Sequence, residues 1–240
     1  GSPLALMAEA YRNQDSSGEL WCLPMSVSGT SASGKITLAG TALASGTISL
    51  YIGSVKVAVT VAAGAQDTEI AQAIVDAITS NKDLLISATL DPDGENKVVT
   101  LTAKQTGTYG NDIPVNLNLQ GYAGGEEDVS GISVEITALA GGTGDIDYSK
   151  AFESVKADTF YYIGIQSCDA TVLDSCKEEM HDATGRWSYS RMQYGHIFSV
   201  KKDTAENLVT FGKTRNDQHV SIFGVEAEHP EPSFILAGAI

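Results

Sequence analysis

Long apolar runs, a basic surplus and paired cysteines are all missing from this sequence. No stretch approaches the ~18 apolar residues that a spanning helix needs, which excludes a helical membrane protein. Basic residues number 15 against 30 acidic ones, leaving a formal charge of −15. Such a surface repels phosphate backbones and anionic lipid, so neither nucleic acid nor a membrane surface is an expected partner. The three cysteines, Cys22, Cys168 and Cys176, are odd in number and lack framework spacing, which argues against a disulfide-stapled secreted domain and for a reducing compartment. The chain opens GSPLALMAEAYR, with no initiator Met and no signal-peptide regions, and closes on the apolar SFILAGAI; both ends read as cut.

A second scarcity is local. Residues 27–144 hold 16 of the 24 glycines but no Phe, Trp, His or Cys, and Tyr51, Tyr109 and Tyr122 are their only aromatics. Two differently built units are implied. In the middle one, KITLAG, GTISLYI, VKVAVTV, LLISATL, KVVTLTA, IPVNLNL and ISVEITAL alternate Thr, Val and Ile between Gly-rich turns, which predicts strands. One helix is expected among them, with Ile70, Ile74, Ala77 and Ile78 on a single face and Asp67 as its N-cap.

The flanks read as alternating α and β: a helix over 3–12, a short buried strand at ELWCLPM, a helix over 148–157, a strand at TFYYIGIQ and a helix over 170–184 with Leu173, Cys176 and Met180 on one stripe. A strand at GHIFSV, a helix over 204–212 and a strand at HVSIFGV follow. This order predicts a mostly parallel sheet covered by helices. One helix and one strand ahead of residue 27 cannot bury a core alone. The expected architecture is therefore α/β, or α+β overall: a discontinuous α/β sandwich of residues 1–26 and 145–240, interrupted by a β-rich domain at 27–144, with SVSGTSASG and AGGTGD as flexible crossing linkers.

The chemistry-bearing residues point to no site. DPDGEN at 91–96 lacks the ligand spacing of a calcium loop and reads as a turn. AGGTGD lacks phosphate-loop spacing. Cys168 and Cys176 are too far apart for a zinc knuckle, and Cys176 belongs to an apolar stripe. His181, His196, His219 and His229 follow no ligand or triad signature, although His196 or His219 could meet an acid in space. Glu126, Glu127 and Asp128 read as a solvated loop tip, and Phe160, Tyr161 and Tyr162 as core packing. No catalytic, cofactor-binding or metal site is expected. An alternative, surface-exposed carbohydrate-binding or adhesin-like role for the insertion would use Tyr51, Tyr109 or Tyr122 to stack on a ligand.

Several segments, taken in order, resemble the tail sheath protein of Mu-like contractile-tailed bacteriophages and prophages. They are GSPLALMAEAYR, ELWCLPM, SGKITLAGTALASGTISLYIGSVKV with the helix that follows, LTAKQTGTYGNDIPVNLN, ALAGGTGDID, and YGHIFSVKKDTAENLVTFGKTRNDQHVSIFG. Residues 122–129 have no clear counterpart. The resemblance implies a structural, non-enzymatic subunit without cofactors. It would polymerise around a tail tube, meet a baseplate and a tail terminator, and contract to drive the tube through the host envelope. It also implies assembly in the bacterial cytoplasm, residence in the virion, and neighbours tied by terminal arms that this chain lacks.

Overall fold

A computed structural model describes residues 1–91, 93 and 95–226. Among them are five α-helices and ten strands in mixed sheets, an α+β protein. The chain divides into two compact units. One comprises Gly1–Ser2 and Gly29–Gly144; the other comprises Pro3–Ser28 and the residues from Asp145 on.

After helix α1 (Pro3–Gln14), which belongs to the second unit, the first unit runs β1 (Ser31–Gly40), β2 (Gly46–Ile52), β3 (Val55–Val61), α2 (Asp67–Ser80), β4 (Ile86–Leu90), β5 (Val98–Thr106), β6 (Val115–Leu117) and β7 (Ile132–Ala140). All its ladders are antiparallel, in two sheets ordered β4-β5-β1-β7 and β3-β2-β6. β1 is central and alternates, sending Ala32, Ile36 and Leu38 inward. β2 and β3 form a hairpin through Gly53-Ser54, and Gly53 supplies the positive φ of 61° that a two-residue turn needs. Ile70, Ile74 and Ile78 of α2 are buried, as the helical spacing predicts; Ala71 is buried with them, and Ala77 is half-buried. Asp67 is the first helical residue rather than the cap. Gln66 holds the cap position, and its N–H donates to Glu69 Oε2 at 3.1 Å, because Glu69 stands one turn on and reaches back.

The second unit runs α1, α3 (Tyr148–Ser154), β8 (Tyr162–Gly164), α4 (Ala170–Glu179), β9 (His196–Lys202), α5 (Ala205–Thr214) and β10 (Val220–Val225). Its three strands are parallel, in the order β10-β9-β8. Leu173, Cys176 and Met180 meet Phe152, Ile165, Ile197 and Val220 in its main core, while Val200 and Val225 pack with Met7, Phe198 and Phe223. Ile197 and Val200 differ by an odd number of residues, so the two clusters take opposite faces of the sheet.

Two expected strands are corrected. ELWCLPM forms no strand: Trp21 is 60% exposed, donates to Glu19 Oε1 at 2.8 Å and meets Phe160 edge-on at 6.0 Å. TFYYIGIQ is a strand only at Tyr162–Gly164, and Tyr161 and Tyr162 stand out at 70% and 68% exposure. β8 is the sheet's edge, and Ile165 and the partly buried Ile163 are the residues that face the core.

Candidate functional site

The described histidines of the second unit do not complete a triad. His196 Nε2 lies 2.8 Å from Ser221 Oγ on the neighbouring strand. The carboxylate goes elsewhere, since His219 Nε2 lies 2.8 Å from Asp182 Oδ1 while its ring stacks on Trp187 at 4.1 Å and 15°. Hydroxyl and acid are thus divided between two imidazoles, and a nucleophile needs both acting through one. His181 Nδ1 accepts from the Ala183 N–H at 3.1 Å, a local turn contact. His229 lies outside the described residues. Among the described residues no group of three His, Cys, Asp or Glu is placed to hold a metal. Burial, with the nearby charges of Asp217 and Glu179, pushes the Cys176 thiol up to about 12, the condition of an inert core thiol. Cys168 is half-buried, and its thiol is also raised by burial.

Polar side chains converge most tightly on Glu126, where a solvated tip was expected. Its carboxylate is 1% exposed. Oε1 accepts from Tyr51 Oη at 2.5 Å and Lys56 Nζ at 2.6 Å, and Oε2 accepts from the Gln120 N–H at 2.9 Å. Burial opposes its ionisation, but the bonds from Lys56, Tyr51 and Gln120 outweigh that and bring its pKa down to about 2. Only Glu127 and Asp128 are exposed. Tyr51 is buried with it, because β2 is covered on both faces from Ile48 to Ile52. Tyr109 is half-buried, and of the three tyrosines only Tyr122 is free to stack, at 83% exposure.

Arg186, which no spacing singled out, is the counterpart in the second unit. Its guanidinium is 1% exposed and donates to the carbonyls of Asp158 at 2.9 Å and Val155 at 3.1 Å, and to Glu179 Oε1 at 3.2 Å. It therefore joins the segment just after α3 to the end of α4. Arg191 shares Glu179 at 3.0 Å.

The Gly-rich segment AGGTGD is no flexible linker through residue 144. Asn111 and Gly142 exchange two bonds, Gly142 N–H to Oδ1 at 2.8 Å and Nδ2–H to the carbonyl at 3.0 Å. Thr30 donates through Oγ1 to the Gly141 carbonyl at 2.8 Å and accepts at its carbonyl from the Thr143 N–H at 3.1 Å. Thr108 N–H reaches the Gly144 carbonyl at 3.0 Å. A β-carbon on Gly142 would run into the Gly107 carbonyl, so glycine is required for close approach rather than for freedom. SASG, in the other expected linker, begins β1.

A cavity of about 300 Å³ lies beneath α5, walled by Leu208, Phe211, Val220 and Ile222 with Lys201 and Arg215 at its margin. None of the described histidines lines it. At 91–96, Asp91 pairs with Lys35 at 2.9 Å and Glu95 with Lys97 at 2.7 Å, so two carboxylates of that turn bind lysines, and Asp91 also accepts the Asp93 N–H at 3.1 Å. Residues 92 and 94 lie outside the described set.

These features define an α+β protein of two units whose most convergent polar clusters tie one segment of the chain to another. No protein-family model matches the chain. It is similar over its whole length, at 29% identity across 243 residues, to the Mu-like prophage FluMu tail sheath protein of Haemophilus influenzae (strain ATCC 51907 / DSM 11121 / KW20 / Rd). The chain spans 47% of that relative's length. Among solved structures, the flagellar cap protein FliD D2-D3 domains from Escherichia coli overlap 51% of this chain and 72% of their own, at 17% identity and a TM-score of 0.28, too low to define a common fold.

Proposed function

We propose that this chain is part of a structural subunit of a contractile phage-tail sheath and is not an enzyme. The observation that carries the reading is the similarity to a tail sheath protein along all of the chain. The use of Glu126, Arg186 and Asn111 as internal ties is compatible with a load-bearing part. In this reading, subunits polymerise around a tail tube between baseplate and tail terminator, are assembled in the host cytoplasm, and contract to drive the tube through the envelope. The insertion projects as a decoration. Immunogold electron microscopy of particles released from cells carrying the gene, with antibody raised against residues 29–144, tests it. Regular labelling along the sheath is expected; label confined to fibres, capsid or unassembled protein would overturn the proposal.

A second reading, carbohydrate binding by the insertion, is supported by the 83% exposure of Tyr122. It expects saturable binding to host-cell polysaccharide that Tyr122→Ala removes. Binding unchanged in that variant would reject it.

A further inference from the structure

We propose that His196, with His219 beside it, forms an acid-sensitive fastener of the parallel sheet, in which protonation of the His196 imidazole loosens the junction where β9 meets β10. The imidazole of His196, the first residue of β9, bonds across to Ser221 of β10 at 2.8 Å. His219 immediately precedes β10, and its carbonyl accepts the Ile197 N–H of β9 at 2.9 Å. Both histidines therefore sit at the same end of the same strand pair.

Among the described residues, Asp182 is the carboxylate bonded to either ring. Asp182 bonds to His219 and also takes Gln218 Nε2 at 2.5 Å. His181, the residue before it, adds its own charge to Asp182. From β8 the residue opposite His196 is Tyr162, and Ser221 is its partner on β10. Phe198, two residues along β9, packs against the His196 ring at 4.9 Å. Asp182 is the partner of His219. A proton on His196 meets a hydroxyl, aromatic rings and the charge of His219, with no acid of its own among the described residues.

Burial first, then the charge of His219, holds the His196 imidazole below its ordinary value. The unfolded chain therefore takes up this proton at a higher pH than the folded one. The stabilisation is complete above the ordinary histidine value of about 6.5 and is lost progressively as pH falls below it. Each unit by which His196 is depressed corresponds to about a tenfold change in the folding equilibrium constant.

The test is favoured by the placement of the tryptophans, since Trp21 and Trp187 both belong to this unit and Trp187 stacks on His219. Intrinsic fluorescence then follows its unfolding in the intact 240-residue chain. In wild type the denaturant midpoint should fall between pH 7.5 and pH 5.5, and His196→Gln, which keeps a hydrogen-bonding group toward Ser221, should remove most of that fall. By NMR, His196 should titrate below its ordinary value, and His219→Gln should move that titration upward. An undiminished acid loss in His196→Gln would overturn the proposal. If that variant does not fold, a His196 titration unmoved by His219→Gln overturns it instead.

Discussion

Glu126 and Arg186 each bury a charge, and the two are satisfied differently. Glu126 receives three donors, two from side chains on the β2–β3 hairpin and one from the backbone of its own loop. Its lowered pKa means that the folded unit holds the ionised form down to about 2. The stabilisation is present above the ordinary carboxylate range and is lost as pH falls toward 2. Glu126→Gln should therefore flatten the acid limb of the first unit, read as amide hydrogen exchange of β2 and β3 between pH 5 and pH 2.5. Glu127→Gln, at an exposed position, should leave that limb in place. Arg186 closes carbonyls that follow a short helix, and truncating it strands them with no donor. Arg186→Ala is expected to destabilise the second unit by about 3–5 kcal/mol, measured by denaturant unfolding followed through tryptophan fluorescence. An effect under about 1 kcal/mol would mean that water replaces the guanidinium there.

At the scale of elements, α2 and the Asn111–Gly142 clasp stabilise the first unit by different means. α2 contributes a stripe of buried isoleucines whose worth is area and packing. Ile74→Ala should cost about 2–5 kcal/mol, because a side chain wholly enclosed by its neighbours leaves a cavity when it is cut back. The clasp contributes hydrogen bonds that join the turn after β5 to the segment after β7. Asn111→Ala should lower the first unit's stability by about 0.5–1.5 kcal/mol for each lost bond and raise exchange at the Gly142 amide above that at the interior of β1. Equal protection of Gly142 in variant and wild type would show that the Thr30 bonds suffice. In the second unit, α4 is held chiefly by burial. Leu173 and Cys176 are fully enclosed, and Met180 just beyond its end is enclosed with them.

At the scale of the whole molecule, the main run of the first unit extends from Gly29 to Gly144, and the Thr30 bonds to Gly141 and Thr143 draw its two ends together. We propose that residues 29–144 are an autonomous insertion. The excised segment should fold cooperatively, seen as a single far-UV circular dichroism transition with dispersed amide resonances. Replacing it by a Gly-Ser linker should leave the tryptophan-monitored unfolding of the remainder in place. A segment that stays unfolded on its own would refute the autonomy.

Periodicity by itself determined the class of structure and most of the elements. The isoleucine spacing of α2, the stripe of α4 and the alternation along β1 are set by distances of two to four residues, which a linear reading can see. The absence of Phe and Trp between residues 27 and 144 likewise distinguishes two kinds of core by composition alone. The resemblance in motif order was legible too, since it depends on succession along the chain. Which tyrosine is exposed was decided only in three dimensions. Tyr51 is buried because β2 is covered on both faces, whereas Tyr161, just before the edge strand β8, and Tyr162, which begins it, are exposed while Ile163 turns to the core. The division of hydroxyl and carboxylate between His196 and His219 arises from which strand adjoins β9 and from where the turn after α4 comes to lie. Glu126 lies seventy-five residues from Tyr51 and seventy from Lys56, so its burial depends on partners that no local pattern brings together. Local spacing selects elements because neighbouring residues are tied by short stretches of backbone. Charge burial, clasps and edges belong to the packing of distant segments, and the tertiary structure alone decides them.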